Sequence, residues 1–433
     1  MQWFKAWKAD AEQLPDDRYV AVCDGIRILA IFMVVWFHIW QQSWLYPVLT
    51  LFGRNISFDP LVRSGYMHVD LMILISGFCL YLPYTRLQPG QPLPSFLSFY
   101  KKRLVRIAPS YYLTIAIMLV VAIVTDAHHN NYPTLSLDLI THLTFTQMFR
   151  METYYYTHLN AALWTICLEM QLYLVFPIVA RLMRRQPILT TLVPVAACTY
   201  FRWVLMNAQW DIKPYFNQFP AYFDIFVLGM FTAFLYGKLR TCPHNIFTRI
   251  VCSAGTVAAL AMIIRLAYAQ SSMGNAGYIE QGQVMHRLPL ALAGACLLLF
   301  AGNAGWLVRH ILGNPVMHFL SGISMHIYIW NQVLAVWILQ LRIIPSVYEH
   351  PNYEGDHPWQ LQFTLACFAI TFAVAVLLTY FFERPVARRL MRNSRSTGKA
   401  VPAVNGTQVM EMPDSSEMVD KLPQSGTAEG ADQ

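Results

Sequence analysis

Charge is the scarce commodity in this chain. Asp, Glu, Lys and Arg make up 13% of its 433 residues, against roughly 25% in a soluble domain of ordinary composition. With 56% hydrophobic residues and a mean hydropathy of +0.38, the apolar surface exceeds what one soluble core can bury. A CxxC pair and an internal repeat are lacking, and neither a cleavable signal peptide nor an appended soluble catalytic domain is expected. The eight cysteines (Cys23, Cys79, Cys167, Cys198, Cys242, Cys252, Cys296 and Cys367) lie mostly in or beside apolar segments. Without paired spacing they read as small buried apolar residues, not as a disulfide framework or a metal site. The opening MQWFKAWKADAEQLPDDRYV is mixed and amphipathic, so the first apolar run is expected to act as an uncleaved signal. The net charge of +7 comes from short basic clusters between apolar runs. That is the placement of orientation determinants and not of a nucleic-acid surface.

What the chain has instead is long apolar runs. They centre on residues 28–45, 66–84, 107–125, 159–180, 187–206, 220–237, 248–268, 286–308, 315–340 and 360–382, each near the roughly 20 residues a bilayer span requires. The expected fold is an all-α integral membrane bundle of about ten helices. The eighth run is the least regular, with Arg287 and Asn303 at the edges of a Gly/Ala-rich stretch. Segments 85–106, 181–185, 238–249 and 384–395 are rich in Lys and Arg, whereas 126–138, 207–219, 269–283 and 343–358 are poor in them. The positive-inside rule then puts both termini in the cytoplasm, as an even number of spans requires. Residues 1–17 are expected as a cytoplasmic segment, 18–390 as the transmembrane domain and 391–433 as a disordered cytoplasmic tail. Trp40, Trp44, Tyr46, Tyr154–Tyr156 and Trp359 read as an interfacial aromatic belt. Residues 136–150 read as an amphipathic helix on the outer face.

Polar groups inside the runs are the candidates for chemistry. In DGIRILAIFMVVWFHIW, Arg27 and His38 are eleven residues apart. Eleven steps of about 100° return to within roughly 20° of the same direction, with about 16 Å of rise, so the pair shares one helix face. Arg27 alone could snorkel to the interface and His38 could be a structural hydrogen bonder; together on one stripe they suggest a site, with His38 as a base. Asp70 in MHVDLMILISGFCLY needs a partner, for which Arg27 and His38 are candidates, or it sits in a structural ion pair. Ser76-Gly77 is a site residue or a small-residue packing step. Arg103 and Arg106 in FYKKRLVRIAPSYY share a helix face at a membrane mouth, where guanidinium forks suit phosphate oxygens. A phosphorylated cytoplasmic cosubstrate fits there. Glu169 in LWTICLEMQLYLVFPIV, with Trp164 and Gln171 nearby, either positions a proton, pairs with Arg27, or makes a structural interhelical bond. Glu383 in YFFERPVARR is expected to form an ion pair that anchors the last helix end.

Taken in order, these segments resemble the integral-membrane acyltransferase-3 family, whose members acylate sugars and other hydroxyl groups. DGIRILAIFMVVWFH is similar to the family's Asp-Gly-x-Arg opening with a histidine eleven positions later. SGF, RLVRIAP and WTICLEMQLY, then FVLGM, SGISMHIYIWN and FFERP, are similar to its later landmarks. The resemblance covers most of residues 18–390. It implies that Arg27 and His38 are the essential pair, that Arg103 and Arg106 face the acyl donor, that acyl-CoA is the cytoplasmic cosubstrate, and that Glu169 is the family's fourth-span glutamate. In one departure, Asn331 stands where the family has a histidine, and His326, five residues earlier, is off that helix stripe. The family's optional extracytoplasmic esterase-like domain has no counterpart, so the protein either acts alone or hands its acyl group to a separate extracytoplasmic partner.

The reading is a multi-pass O-acyltransferase of the cell membrane. It moves an acyl group, acetyl by expectation, from acyl-CoA to a hydroxyl of a carbohydrate or lipid-linked sugar, such as a surface polysaccharide. His38, Arg27 and Glu169 are the expected catalytic residues. Arg103, Arg106, Asp70, Ser76 and Trp164 are expected to bind substrate or donor. No metal, bound cofactor or nucleic-acid partner is expected. The rival is a polytopic transporter in which Arg27, His38, Asp70 and Glu169 form a proton or substrate path; no inverted repeat of broken helices supports it.

Overall fold

Backbone polar groups have no water to pair with in a bilayer, so each span must satisfy its own hydrogen bonds, and the helix does so. A computed structural model describes residues 20–88, 91–128, 133–240 and 245–396. Among these residues ten helices are long and apolar enough to cross a membrane: α1 (Val22–Ser43), α2 (Gly65–Arg86), α3 (Phe96–Val124), α4 (Ala161–Arg185), α5 (Pro187–Met206), α6 (Phe219–Leu239), α7 (Ile246–Asn275), α8 (Ile279–Asn303), α9 (Trp306–Gln340) and α10 (His357–Met391). The expected eighth span is therefore present, with Arg287 inside it. Helix α3 begins eleven residues before the apolar run read from sequence, so Arg103 and Arg106 lie on its first three turns, helical as their spacing suggests. With ten crossings, the start of α1 and the end of α10 share one face of the bundle, termed the near face; His38 and Ser43 lie toward the far face.

Contacts group Met1–Met391 into one unit, and Arg392–Gln433 forms another. The expected cytoplasmic segment 1–17 lies outside the described residues, as does all of the expected tail beyond residue 396.

Helix α2 is the most enclosed span, whereas α5, α7 and α10 turn most of their surface outward. It packs on α6, as α1 does on α9 and α7 on α8. Two glycines set the α2–α6 distance. A Cβ on Gly77 would come within 2.1 Å of the Phe226 carbonyl oxygen, and one on Gly229 within 2.0 Å of the Leu74 carbonyl oxygen. Each backbone fills the notch left by the other's missing side chain, a known mode of close helix contact in membranes.

Sequence reading missed a hairpin on the far face. Strands β1 (Val48–Leu51) and β2 (Arg54–Ser57) pair antiparallel, with Leu49 opposite Ile56 and Thr50 opposite Asn55. Phe52 and Gly53 make the turn at φ 51° and 73°, the two positive values of a type I′ hairpin. The expected amphipathic helix over 136–150 is shorter, Leu135–Leu143; Phe145 at φ 55° stops it, and a 3-10 turn follows at Gln147–Phe149. Its polar side faces inward, with Asp138, Thr141 and His142 buried, while Ile140 and Leu143 are exposed.

Candidate active site

The near-half cluster starts at Arg27, five residues into α1. Its Nη1 donates to Ser321 Oγ on α9 (3.2 Å) and its Nη2 to Cys79 Sγ on α2 (3.4 Å). The Asp24 carboxylate stands one turn back at 3.9 Å and also meets His318 Nδ1 at 2.8 Å. Arg27 thus ties three helices together; it does not simply snorkel outward. Its side chain is still 24% exposed, so a ligand can reach it.

One turn deeper on α2, Ser76 Oγ donates to Glu169 Oε1 of α4 at 2.9 Å and contacts Tyr173 Oη at 3.3 Å. Tyr173 also donates to Glu169, one helical turn away. Arg103 lies over the rings of Phe99 (5.7 Å) and Tyr173 (6.0 Å), and Arg106, one turn on, is exposed. Glu169 makes no ion pair with Arg27 within 4 Å; it reaches Arg103 through Tyr173, whose ring lies under the Arg103 guanidinium. Four expected residues, Arg27, Ser76, Arg103 and Glu169, therefore lie around one polar region with Tyr173, Cys79 and Ser321, and Arg106 stands exposed one turn from Arg103.

His38 is not in that cluster. It lies eleven residues along α1, about 16 Å further through the membrane, and is half-buried. Its Nδ1 is 3.1 Å from Gln41 Oε1. Because that oxygen only accepts, the contact calls for a hydrogen on Nδ1, and in the neutral ring this leaves the Nε2 lone pair free. Gln41 was not identified from sequence; its position one turn after the histidine is the signal. Between the two poles stand Val34, Val69, Ala162 and Tyr328, with Trp164 packed against them. Trp164 packs on this apolar cluster, with Tyr154 and Tyr222 each 6.2 Å away, ring to ring.

Asp70 belongs elsewhere. Six residues separate it from Ser76, which turns the two about 120° apart around α2. Its partner is Arg287 of α8, with Oδ2 at 3.5 Å from Nε and both side chains fully enclosed. The expected partners Arg27 and His38 are replaced by this pair. Arg287 also donates to the Phe216 carbonyl (2.6 Å), Asn217 Oδ1 (3.0 Å) and Tyr222 Oη (3.1 Å). Glu383 does not pair with the neighbouring arginines but with buried His326, at 3.1 Å from Nε2, which also contacts Ser110 Oγ at 3.1 Å. A π-helical turn, Thr379–Glu383, rotates Glu383 inward; such turns recur at functional positions. Asn331 donates to the Ile327 and Tyr328 carbonyls of its own helix (3.1 and 2.6 Å).

Outside the spans, buried Asp138 fixes the far-face segment before α4. Its Oδ2 accepts from Thr157 Oγ1 (3.1 Å) and the His158 amide (2.9 Å), and His142 Nδ1 lies 3.2 Å from Oδ1. Burial alone would raise the Asp138 pKa, but the bond and charge of His142 with these donors outweigh it and hold the carboxyl below its usual range. Burial, with the nearby His128, lowers that of His158.

Comparison with curated proteins and with solved structures finds no match in either. The family profile for the acyltransferase domain, Acyl_transf_3, matches residues 21–380, a stretch that includes Arg27, His38, Ser76, Arg103, Arg106 and Glu169. The chain therefore belongs to the acyltransferase-3 family and is a multi-pass membrane acyltransferase.

Proposed function

We propose that this enzyme transfers an acyl group, acetyl in the simplest case, from acyl-CoA on the near face to a hydroxyl of a carbohydrate or lipid-linked sugar at the far face. The observation that carries the reading is the separation of two poles along one helix, with Arg27 toward one face and His38 toward the other. Acyl-CoA is suited to such a layout, because its charged nucleotide and its thioester are joined by a long, thin, flexible arm. Basic loops on the near face support the reading that this face is cytoplasmic, in a plasma or inner membrane. Arg103 and Arg106 take the donor phosphates there. Arg27, Ser76 and Glu169 line the way inward, and the thioester reaches His38.

His38 Nε2 removes the proton of the acceptor hydroxyl as its oxygen attacks the thioester carbonyl. The tetrahedral oxyanion collapses, the C–S bond breaks, and the departing CoA thiolate takes the proton from the imidazolium. Gln41 holds the ring in the tautomer that can accept. No acyl-enzyme is needed in this sequence of steps.

The test is transfer of label from acyl-CoA in membranes carrying wild-type protein or a single variant. His38→Ala lowers turnover by about 10²–10⁴-fold, the range of a positioned general base. Arg103→Ala and Arg106→Ala raise KM for the donor with kcat less affected. Full turnover by well-expressed His38→Ala protein would overturn the mechanism.

A further inference from the structure

The far-face hairpin is amphipathic, and among the described residues nothing covers its apolar side. Directly opposed residues of an antiparallel pair share a face. Leu49, Leu51 and Ile56 therefore lie on one side with Arg54, while Val48, Thr50, Asn55 and Ser57 lie on the other, where Thr50 donates to Asn55 at 2.7 Å. The apolar side stays open: Leu49 is 49% and Ile56 42% exposed, and Phe52 at the tip is 96% exposed. An isolated two-stranded hairpin is marginal in water, and an uncovered row of large aliphatics makes it more so. Phe52 also holds φ 51°, a value that disfavours a bulky residue and favours Asn or Gly. The chain keeps an aromatic ring at the tip despite that strain.

Position indicates what covers this side. The hairpin follows Trp44 and Tyr46, both exposed belt residues at the end of α1. Tyr268 of α7, a helix that turns most of its surface outward, donates to the Ser57 carbonyl at 3.0 Å. Tyr268 is seven residues, about 10 Å, short of the end of α7. The base of the hairpin is thus level with the last turns of a lipid-facing span.

We propose that the hairpin lies in the membrane interface of the far leaflet, with Phe52, Leu49, Leu51 and Ile56 packed on lipid chains and Arg54 reaching the head groups. Its open edges can be solvated at that depth but not in the hydrocarbon centre. Resting on the acyl-transfer reading above, it forms a lipid-embedded lip beside His38 through which a lipid-anchored hydroxyl acceptor enters from the leaflet.

Two measurements test this. In nanodiscs of phosphatidylethanolamine and phosphatidylglycerol, the full chain carries photoreactive benzoylphenylalanine at position 52 or, on the polar side, at 55. Illumination is expected to give lipid adducts at 52, at least tenfold above those at 55. Equal yields, or adducts to protein instead of lipid, overturn the proposal. The second measurement uses Phe52→Asn, which installs the preferred Asn-Gly turn and so favours the fold. Label from acyl-CoA entering the solvent-extractable lipid fraction falls about tenfold with the ring's burial lost, while acyl-CoA hydrolysis is unchanged. Undiminished lipid labelling, or equal loss of hydrolysis, overturns the role in acceptor entry. Crosslinking needs no catalysis, so an absence of any acyl transfer by the wild type would count against the acyl-transfer reading and leave the lipid contact to be judged by its own adducts.

Discussion

Ser76 and Glu169 lie 93 residues apart in sequence, yet the serine hydroxyl donates to the glutamate at 2.9 Å. A carboxylate inside a span is held there by its donors, and each donor to a charged group contributes about 1.5–3 kcal/mol. Ser76→Ala is expected to lower kcat/KM for acyl-CoA about tenfold. Glu169→Gln keeps an acceptor for both hydroxyls but removes the acid itself, so its loss is expected to be larger. Steady-state kinetics on purified protein decides this; equal, small effects would mark the bond as purely structural.

In the proposed mechanism Gln41 acts through His38, its contact one turn back. Gln41→Ala frees the imidazole to rotate or change tautomer, and kcat is expected to fall about tenfold with the donor KM unchanged. Gln41→Glu retains an acceptor for Nδ1–H and should restore part of the rate. A change in KM alone, without rescue by glutamate, would contradict a positioning role.

Asp70 and Arg287 form a buried pair, and removing one partner from such a pair typically costs about 3–5 kcal/mol because the other charge is stranded. Asp70→Leu and Arg287→Met are each expected to lower the melting temperature in detergent sharply, and the double variant to recover much of it. The protein that does fold should turn over acyl-CoA near the wild-type rate. A stable Asp70→Asn protein without turnover would return Asp70 to the substrate-binding set in which its sequence position placed it.

The far-face segment should loosen in acid. His158 has a lowered pKa in the folded protein, so the unfolded segment binds a proton more readily, and stability falls as pH drops through the unfolded value of about 6.5. Asp138, also lowered, keeps its contribution until pH falls through its own depressed folded value, well below that range. Hydrogen-exchange protection across residues 135–160, taken relative to the intrinsic rate at each pH, is expected to fall between about pH 7 and pH 5, and His158→Gln to remove that step while leaving the more acidic Asp138 transition in place.

The spans were legible because a bilayer imposes a length and a polarity that any window of sequence reveals. Arg27, His38, Ser76, Arg103, Arg106 and Glu169 were legible as costly residues in apolar runs. Their grouping was not. Periodicity gives the face of a helix but not its neighbour, so Asp70 could be called in need of a partner without revealing that Arg287, 217 residues later, supplies it. Glu383 was assigned to nearby arginines because a π-helical turn, which redirects one side chain, leaves no periodic trace. The hairpin escaped notice because its two strands are four residues each, too short to separate from a loop by alternation.

The interlock of Gly77 with Phe226 and of Gly229 with Leu74 has a kinetic consequence. Neither helix can slide or roll on the other without driving a carbonyl oxygen into the opposing chain, so α2 and α6 behave as one girder through the middle of the molecule. Ser76 and Cys79 ride on that girder, and Arg27 is bonded to it. A carrier that alternates between two open sides must shear its halves past each other along some such seam. Here the central seam is interlocked, and on the proposed function the traffic between the faces would fall to the flexible arm of acyl-CoA, with the protein as the fixed track along which it runs.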